Sequence, residues 1–412
     1  MSGPARGAGP VRLGVIGCGA VAQAVHLPLL AKRRDLFQVA GLCDLSAGLV
    51  GQVAERFGLA AAGRHRDAEE LLGAERIDAV MVLTSGSHAP VVAAALRRGL
   101  PVFCEKPLAY TLAEADELAA LSGSDAPRVQ LGYMKLYDPA VVGARALVAG
   151  RPPPRAVTVT VLRPSEEDQL AHARLEPVPA DVPAARREAL AREGDDRARR
   201  ALGGVSPALR RLYVDVLLGS TVHNLSLVRA LAGEVQSVEH VAMWPDGPQP
   251  GSVSVDATLP GCARLAVWSH YLGRYPSYRE EVQLHYEDGS VLLTFPSPYL
   301  LHAPTVLTVR ERAGESTSTT RRASTVEAFE RQLEGFHRLV TEGTPAAAGI
   351  AEGRADVLTC QRIVRRLADR RGIPVGGEAG EPRAGEPGEA GEAGEAGEAG
   401  EAARAAAGPI VQ

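Results

Sequence analysis

Residues 11–22 read VRLGVIGCGAVA, and their reading decides the fold. The run 11–17 is short and apolar and stops at glycine, the mark of a buried strand in a parallel sheet. GCGAVA, 17–22, then follows the pattern G-x-G-x-x-A and opens an expected helix, 20–32, which Pro28 should kink. Small residues there let the backbone turn tightly and approach a pyrophosphate. The helix N-terminus offers that anion free N–H groups and partial positive charge. With 44 glycines in the chain, the match alone is weak. Its context strengthens it, because Asp44 ends the next expected strand, 37–44, where an acid would hold the adenosine ribose hydroxyls. Leu45 and Ser46 follow, and no Arg or Lys stands beside Asp44 to hold a further phosphate. NAD is therefore favoured over NADP, with Gly17, Cys18, Gly19, Ala20, Val21, Ala22 and Asp44 as cofactor candidates. The bland alternative is a structural glycine turn beside a solvated aspartate.

The alternation continues through helix 45–57, strand 77–83, helix 89–98, strand 101–105, helix 112–121 and strand 128–133. Thr111 and Glu114 form an expected capping box at the last of these helices. Strands alternating with helices imply a doubly wound parallel sheet over 11–133, a Rossmann-type dinucleotide-binding domain. The pattern then changes. Residues 155–163 alternate as a half-buried strand. A charged insertion, about 165–212, contains PAARREALAREGDDRARRAL, which reads as a solvated helix with a structural or lid role open. A helix is expected at 220–232. Strand after strand follows from 234 to 312, separated by turns such as EDGS at 287–290, and then helices at 325–342 and 351–371. Runs of strands with short turns imply an open, mostly antiparallel sheet in an α+β domain, 134–375.

A chain of 412 residues is long enough for two such domains. Aromatics make up only 4% of it, so Ala, Val and Leu must build the core. The tail 376–412, with its GEA repeats, holds eight Glu against two Arg and should be disordered, as should residues 1–10. With a whole-chain charge of −4, the rest is nearly neutral. No basic field is present to attract nucleic acid or an anionic membrane. No apolar run approaches the ~18 residues of a membrane span, and the N-terminus lacks a secretory apolar core. The five cysteines are odd in number and widely spaced, and the ten histidines show no ligand spacing. Neither a disulfide framework nor a metal site is expected, and the expected setting is reducing and cytoplasmic.

The stretch VFCEKPLAYT, 102–111, carries the chemistry. Its strand should end on the crevice where such sheets bind ligands, placing Lys106 beside a nicotinamide ring. Desolvation can lower the pKa of a lysine there, so that it polarises a hydroxyl or carbonyl and passes a proton. Pro107 would aim it inward, and Glu105 could accept a hydrogen bond and restrain the turn. The alternative is a surface turn with an ion pair.

Together VIGCGAVAQAVHLPLL, SGSHAPVVAAALRRGLPVFCEKPLA, GYMKLYDPAV and VHNLSLVRALAG resemble the Gfo/Idh/MocA oxidoreductases, from about Val11 to Val375. The resemblance implies a Rossmann domain joined to an open-faced sheet domain that often packs in dimers or tetramers. It implies NAD(P)-dependent oxidation or reduction at a hydroxyl or keto carbon of a sugar, cyclitol or sugar derivative. It puts Lys106 at the catalytic-lysine position and His223 at that of a second proton-relaying residue. Ser85, His88 and Glu105 join the cofactor candidates, with His88 equally a helix cap. Tyr133, Lys135, His223 and Asn224 are the substrate candidates. The chain departs from the family where an Asp would precede the His by four residues, for that position is Gly219. Tyr133, Lys135 and Tyr213 are the residues named to fill the gap. Leu136 also replaces a frequent Arg. The cluster WSHYLGRYPSY, 268–278, could line a sugar pocket or serve as an oligomer contact. Two other readings stay open: a glycosidase that oxidises its substrate transiently with bound NAD, and an NAD-binding protein without activity.

Overall fold

The computed structural model describes residues 9–74, 76–123, 128–245 and 251–381. Six strands make the first sheet: β1 (Val11–Ile16), β2 (Phe37–Cys43), β3 (Gly63–His65), β4 (Ala79–Val82), β5 (Val102–Cys104) and β6 (Val129–Leu131). Their order is β3-β2-β1-β4-β5-β6, and every pair is parallel. The order reverses between β1 and β4, which makes their carboxyl ends the topological switch point. Helices cover both faces, so the strands are apolar on both sides, and Leu13, Val15, Leu42, Val80, Met81 and Phe103 are fully buried. β3 and the helix Ala68–Ala74 were not expected, since GRH is too short and polar to read as a strand.

The stretch 20–32 differs from expectation. Ala22–His26 is a π-helix, and an α-helix runs from Leu27 to Lys32 with Pro28 in its first turn. Proline is tolerated there because that N–H lacks an intrahelical partner anyway. The change of helix type, rather than a kink at Pro28, redirects the segment.

The second sheet has eight strands: β7 (Ala156–Arg163), β8 (Ser237–Trp244), β9 (Ser252–Thr258), β10 (Arg264–Tyr271), β11 (Arg279–His285), β12 (Gly289–Phe295), β13 (Val306–Ala313) and β14 (Ser316–Ala323). Their order is β14-β13-β12-β11-β7-β10-β9-β8, antiparallel except for the β7–β10 pair. β14 was not expected, because STSTTRRA is exposed along its whole length and carries no apolar alternation. One face of the sheet, with Val157, Val159, Val161, Val267, Val282 and Leu284, is buried. The other face carries Thr158, Thr160 and Trp268, and Trp268 is 54% exposed.

The two sheets share one hydrophobic core, which runs from Val82, Cys104 and Tyr133 to Val157, Leu217 and Val282. A second core lies beneath the other face of the first sheet. There the late helix Ala328–Glu342 returns to it, and Phe336 meets Phe37 and Phe103 at ring distances of 6.1 and 5.7 Å. Such aromatic pairs contribute about 0.5–1.5 kcal/mol each beyond area burial. The start of the acidic tail is ordered, against expectation. Gly377–Gly380 is helical, and the Glu378 carboxylate accepts from the N–H groups of Leu112 (2.7 Å) and Ala113 (2.9 Å). An anion there complements the N-terminus of the helix Leu112–Ser122. Residues 1–8 and 382–412, where most of the expected disorder falls, lie outside the described residues.

Candidate active site

The carboxyl ends of the parallel strands line up in a row. Gly17 N–H donates to Cys43 O (2.8 Å), Leu83 N–H to Ile16 O (2.7 Å), Glu105 N–H to Val82 O (2.9 Å) and Gly132 N–H to Cys104 O (2.7 Å). These bonds fix the glycine loop, the Leu83–Thr84 turn, the EKP turn and Tyr133 along one rim. Gly17 has φ +103°, and a Cβ there would lie 2.6 Å from the Leu83 carbonyl carbon, so only glycine fits. Gly19 is the opposite case, because a Cβ there would meet nothing within 4 Å. The open space beside Gly19 at the start of a helical segment is the kind of cradle a pyrophosphate needs.

Cys18 contributes its backbone: its N–H donates to Asp44 Oδ2 (2.9 Å). Its thiol is buried, and burial, with Asp44 and Cys43 adding to it, pushes its pKa up to about 12. Asp44 Oδ1 accepts from Ser46 N–H (3.1 Å). A carboxylate has about four acceptor positions, so Asp44 keeps capacity for ribose hydroxyls. Ala20 and Val21 are half-buried at the loop, while Ala22 faces the core. Ser85 is exposed on the turn after β4. His88 sits at the N-cap position of the helix Ala89–Arg97, yet its side chain makes no cap bond. Its ring instead lies 2.6 Å from Pro107 O and 2.7 Å from Thr84 O, clamping the EKP turn to the turn after β4. Burial lowers its pKa, outweighing the two carbonyls and the charge of Glu105.

Glu105 is buried. Its carboxylate is 2.9 Å from His26 Nε2, bonds the Lys106 N–H at 3.2 Å, and lies against Gly132, where a Cβ would come within 2.8 Å. Burial pushes the Glu105 pKa up, but His26 and Lys106 outweigh this and hold it below the ordinary value. His26, edge-on to Phe103 and Phe329, is thus a structural brace. Pro107 follows Lys106 through a cis peptide bond.

Lys106 is half-buried, and its Nζ donates to the backbone carbonyl of Gly219. Burial lowers its pKa; Glu105 and Glu166 oppose this, and Arg163 and Lys135 reinforce it. Gly219 lies in a π-helix, Leu212–Thr221, which passes into the α-helix Val222–Ala232 carrying His223 and Asn224. Where the family pattern would put a carboxylate, this chain offers Lys106 a neutral carbonyl. Asp215 is exposed and does not substitute. Tyr213 does not either, since its hydroxyl donates to Tyr110 O.

His223 packs edge-on against Tyr133 at 6.0 Å, and among the described residues its buried Nδ1 has no hydrogen-bond partner. Burial, then Lys106, Lys135 and Arg163, push its pKa well below the ordinary value, so the ring is neutral at pH 7. Tyr133 offers its ring alone, because its hydroxyl donates to Asp356, which Arg229 holds bidentately at 2.6 and 3.0 Å.

Two charged residues at this site were missed from sequence. Glu280, 1% exposed, accepts from Lys135, from Asn224 Nδ2 (2.7 Å) and from the Tyr278 hydroxyl. Its signal was available: in REEVQLH, Glu280 shares a face with Val282 and Leu284. Arg163 ends β7, lies 5.2 Å over the Tyr271 ring and donates to Ser220 Oγ. The aromatic stretch 268–278 is therefore divided, with Tyr271 and Tyr278 at the site and Trp268 on the open sheet face. A cleft of about 510 Å³, lined by Val142, Arg145, Leu231 and neighbours, shares no residue with this cluster. Among the described residues no group of three His, Cys, Asp or Glu gathers as for a metal, and no helix is long and apolar enough to cross a membrane.

Residues 11–133 match the Gfo/Idh/MocA family model, described as an oxidoreductase family with an NAD-binding Rossmann fold. That match covers the parallel-sheet domain of the chain. Among curated relatives, inositol 2-dehydrogenase 2 of Paenarthrobacter aurescens is 36% identical over 148 residues, 34% of this chain and 43% of that protein. The inositol 2-dehydrogenase of Corynebacterium glutamicum is 33% identical over 141 residues, 34% of this chain and 41% of that one. The chain thus spans less than half the length of the curated relatives it matches. Solved structures extend the likeness of fold across both sheets. A 3-ketoreductase from Actinomadura kijaniata in complex with NADP gives a TM-score of 0.63 at 16% identity, over 88% of this chain and 98% of that one. An aldose-aldose oxidoreductase from Caulobacter crescentus gives 0.65 at 17%, again over 88% and 98%. The fold expected from sequence, a parallel Rossmann sheet with a mostly antiparallel second sheet, is the one observed.

Proposed function

We propose that this protein is an NAD-dependent dehydrogenase or reductase acting on a CH–OH carbon of a sugar, cyclitol or sugar derivative. The observation that carries the reading is Lys106. Its amine stands on the same strand-end rim as the glycine loop, half-buried, with a lowered pKa and a neutral carbonyl as its partner. When bound, the nicotinamide would accept or return the hydride. The rest falls to this chain's side chains.

In the oxidative direction the neutral Lys106 amine takes the proton of the substrate hydroxyl. In reduction the ammonium returns it to the forming alkoxide. The Gly219 carbonyl orients Nζ by accepting one N–H and adds no negative charge, which would favour the ammonium. Neutral His223 donates to or accepts from a substrate hydroxyl. Lys135, Asn224 and Tyr278 are locked around Glu280. A positioned acid/base of this kind contributes typically ~10²–10⁴-fold in rate.

The relatives' names support inositol-like or sugar substrates, and the absence of Arg or Lys beside Asp44 supports NAD. The five free cysteines, four of them buried, support a reducing, cytoplasmic setting. The open sheet face with its exposed Trp268 supports a homo-oligomer. A panel of polyols and sugars, followed by formation of reduced nicotinamide, tests the reading. Net cofactor reduction on at least one CH–OH compound is expected. Bound NAD without net turnover, accompanied by glycoside cleavage, would favour the transient-oxidation reading instead.

A further inference from the structure

The insertion between β7 and the π-helix leads back onto the first sheet. Arg56 donates to the carbonyls of Ala173 (2.9 Å) and Arg174 and pairs with Glu176 at 3.5 Å. The Glu176 N–H donates to Gln23 Oε1 (2.8 Å), and Gln23 Nε2 donates to Cys18 O (2.9 Å) inside the glycine loop. Farther on, Asp181 Oδ2 accepts from the Gly48 N–H (2.9 Å). The Ser46 hydroxyl also faces this carboxylate. Pro179 packs on Gly48, where a Cβ would come within 2.9 Å of its ring. Between this strap and the strand ends lies a cleft of about 330 Å³, lined by Leu45, Arg66 and Asp67 on one side and Val182, Pro183 and Arg186 on the other. That volume is at the lower end of the ~300–1,000 Å³ usual for ligand pockets.

We infer that residues 173–183 form a strap that completes the adenosine pocket, and that Asp181 selects the cofactor without a 2′-phosphate. The inference rests on the dinucleotide reading of the glycine loop. An acid at the end of β2 holds the ribose 2′-hydroxyl, so a 2′-phosphate would project toward the residues just past it. There the available donors are the Ser46 hydroxyl and the N–H groups at the start of the helix Ala47–Arg56. Asp181 engages these donors and sets a negative charge among them. A 2′-phosphate would have to displace this carboxylate and then face both it and Asp44. NAD carries only a hydroxyl at that position and meets neither cost. This is selection by repulsion of the wrong partner. Arg66 and Arg186 are exposed guanidinium groups with planar faces suited to an adenine ring, and they are also the two groups that could hold a phosphate in spite of Asp181. The opposite preference is thus an outcome of the test.

The full chain, its Asp181→Ala variant and its Asp181→Asn variant would be titrated with NADH and with NADPH by calorimetry. Asp181 is exposed, so both variants should fold. We expect the parent to prefer NADH. Asp181→Ala should tighten NADPH by about tenfold or more, the scale of removing one nearby charge from a dianion, and leave NADH within about threefold. Asp181→Asn, which keeps an acceptor and loses the charge, should lie between. An unchanged NADH-to-NADPH ratio in a variant that binds dinucleotide, or a parent that prefers NADPH, would overturn the inference and leave the dinucleotide reading standing. Binding of neither nucleotide by any of the three would overturn both.

Discussion

Replacing Glu280 by glutamine tests the buried frame of the site. Glu280 is 1% exposed and accepts from three donors: Lys135, Asn224 and Tyr278. Burial raises its pKa, but Lys135 and Tyr278 outweigh this and keep it below the ordinary value, so it is ionised at pH 7. Lys135, 8% exposed and 5.0 Å over the Phe295 ring, has no other anion bonded to it among the described residues. In Glu280→Gln the shape stays and the counter-charge goes. Breaking a buried pair from one side costs about 3–5 kcal/mol, and the retained carbonyl acceptor puts this variant near the lower end, about 3 kcal/mol. Urea unfolding followed by circular dichroism would read it. The sign of a second change is sharper: adding Lys135→Met to Glu280→Gln removes the orphaned charge, so the double variant should be more stable than Glu280→Gln alone. A single variant within about 0.5 kcal/mol of the parent, the range of ordinary surface changes, would refute the reasoning. So would a double variant that is less stable than the single.

Three further outcomes follow from the geometry. Oxidation needs the neutral Lys106 amine, so kcat/KM for oxidation should rise with pH and level off above an apparent pKa below the ordinary 10.5, while reduction falls over the same range; a pH profile without that limb would count against Lys106 as the base. Gly17→Ala forces a side chain into φ +103° and against Leu83, so it should lose about 2 kcal/mol or more of stability and weaken dinucleotide binding, read by thermal unfolding and calorimetry. Glu378→Ala removes the cap from Leu112 and Ala113 and should cost about 1 kcal/mol in urea unfolding without changing cofactor affinity.

What was legible in the sequence is what depends on local pattern. The strand and glycine loop at 11–22 declare themselves because apolar continuity, a small-residue turn and an acid at Asp44 all report the same backbone path. Lys106 is legible for a similar reason, sitting at a strand end followed by proline. Less was visible where the structure turns on long-range contact or on an unusual helix. The four-residue spacing of Gly219 and His223 would put them on one face only in an α-helix. The π-helix Leu212–Thr221 ends between them, and what reaches Lys106 is a carbonyl that no side-chain pattern announces. Glu280 and Arg163 come from different strands of the second sheet and meet the site only through pairing across β7, β10 and β11. The ordering of Glu378 depends on a helix more than 260 residues earlier in the chain, and a low-complexity composition conceals it.

The central claim is that Lys106 moves the proton as hydride moves. The measurement that tests it most directly is the single-turnover rate of nicotinamide reduction, on a substrate found by the polyol and sugar panel, for the parent and Lys106→Met, alongside calorimetric affinity for NAD(H) in both. The account predicts a fall of about 10²–10⁴-fold in rate with cofactor affinity within about threefold. A Lys106→Met protein that binds cofactor normally and reduces it within about threefold of the parent rate would contradict it.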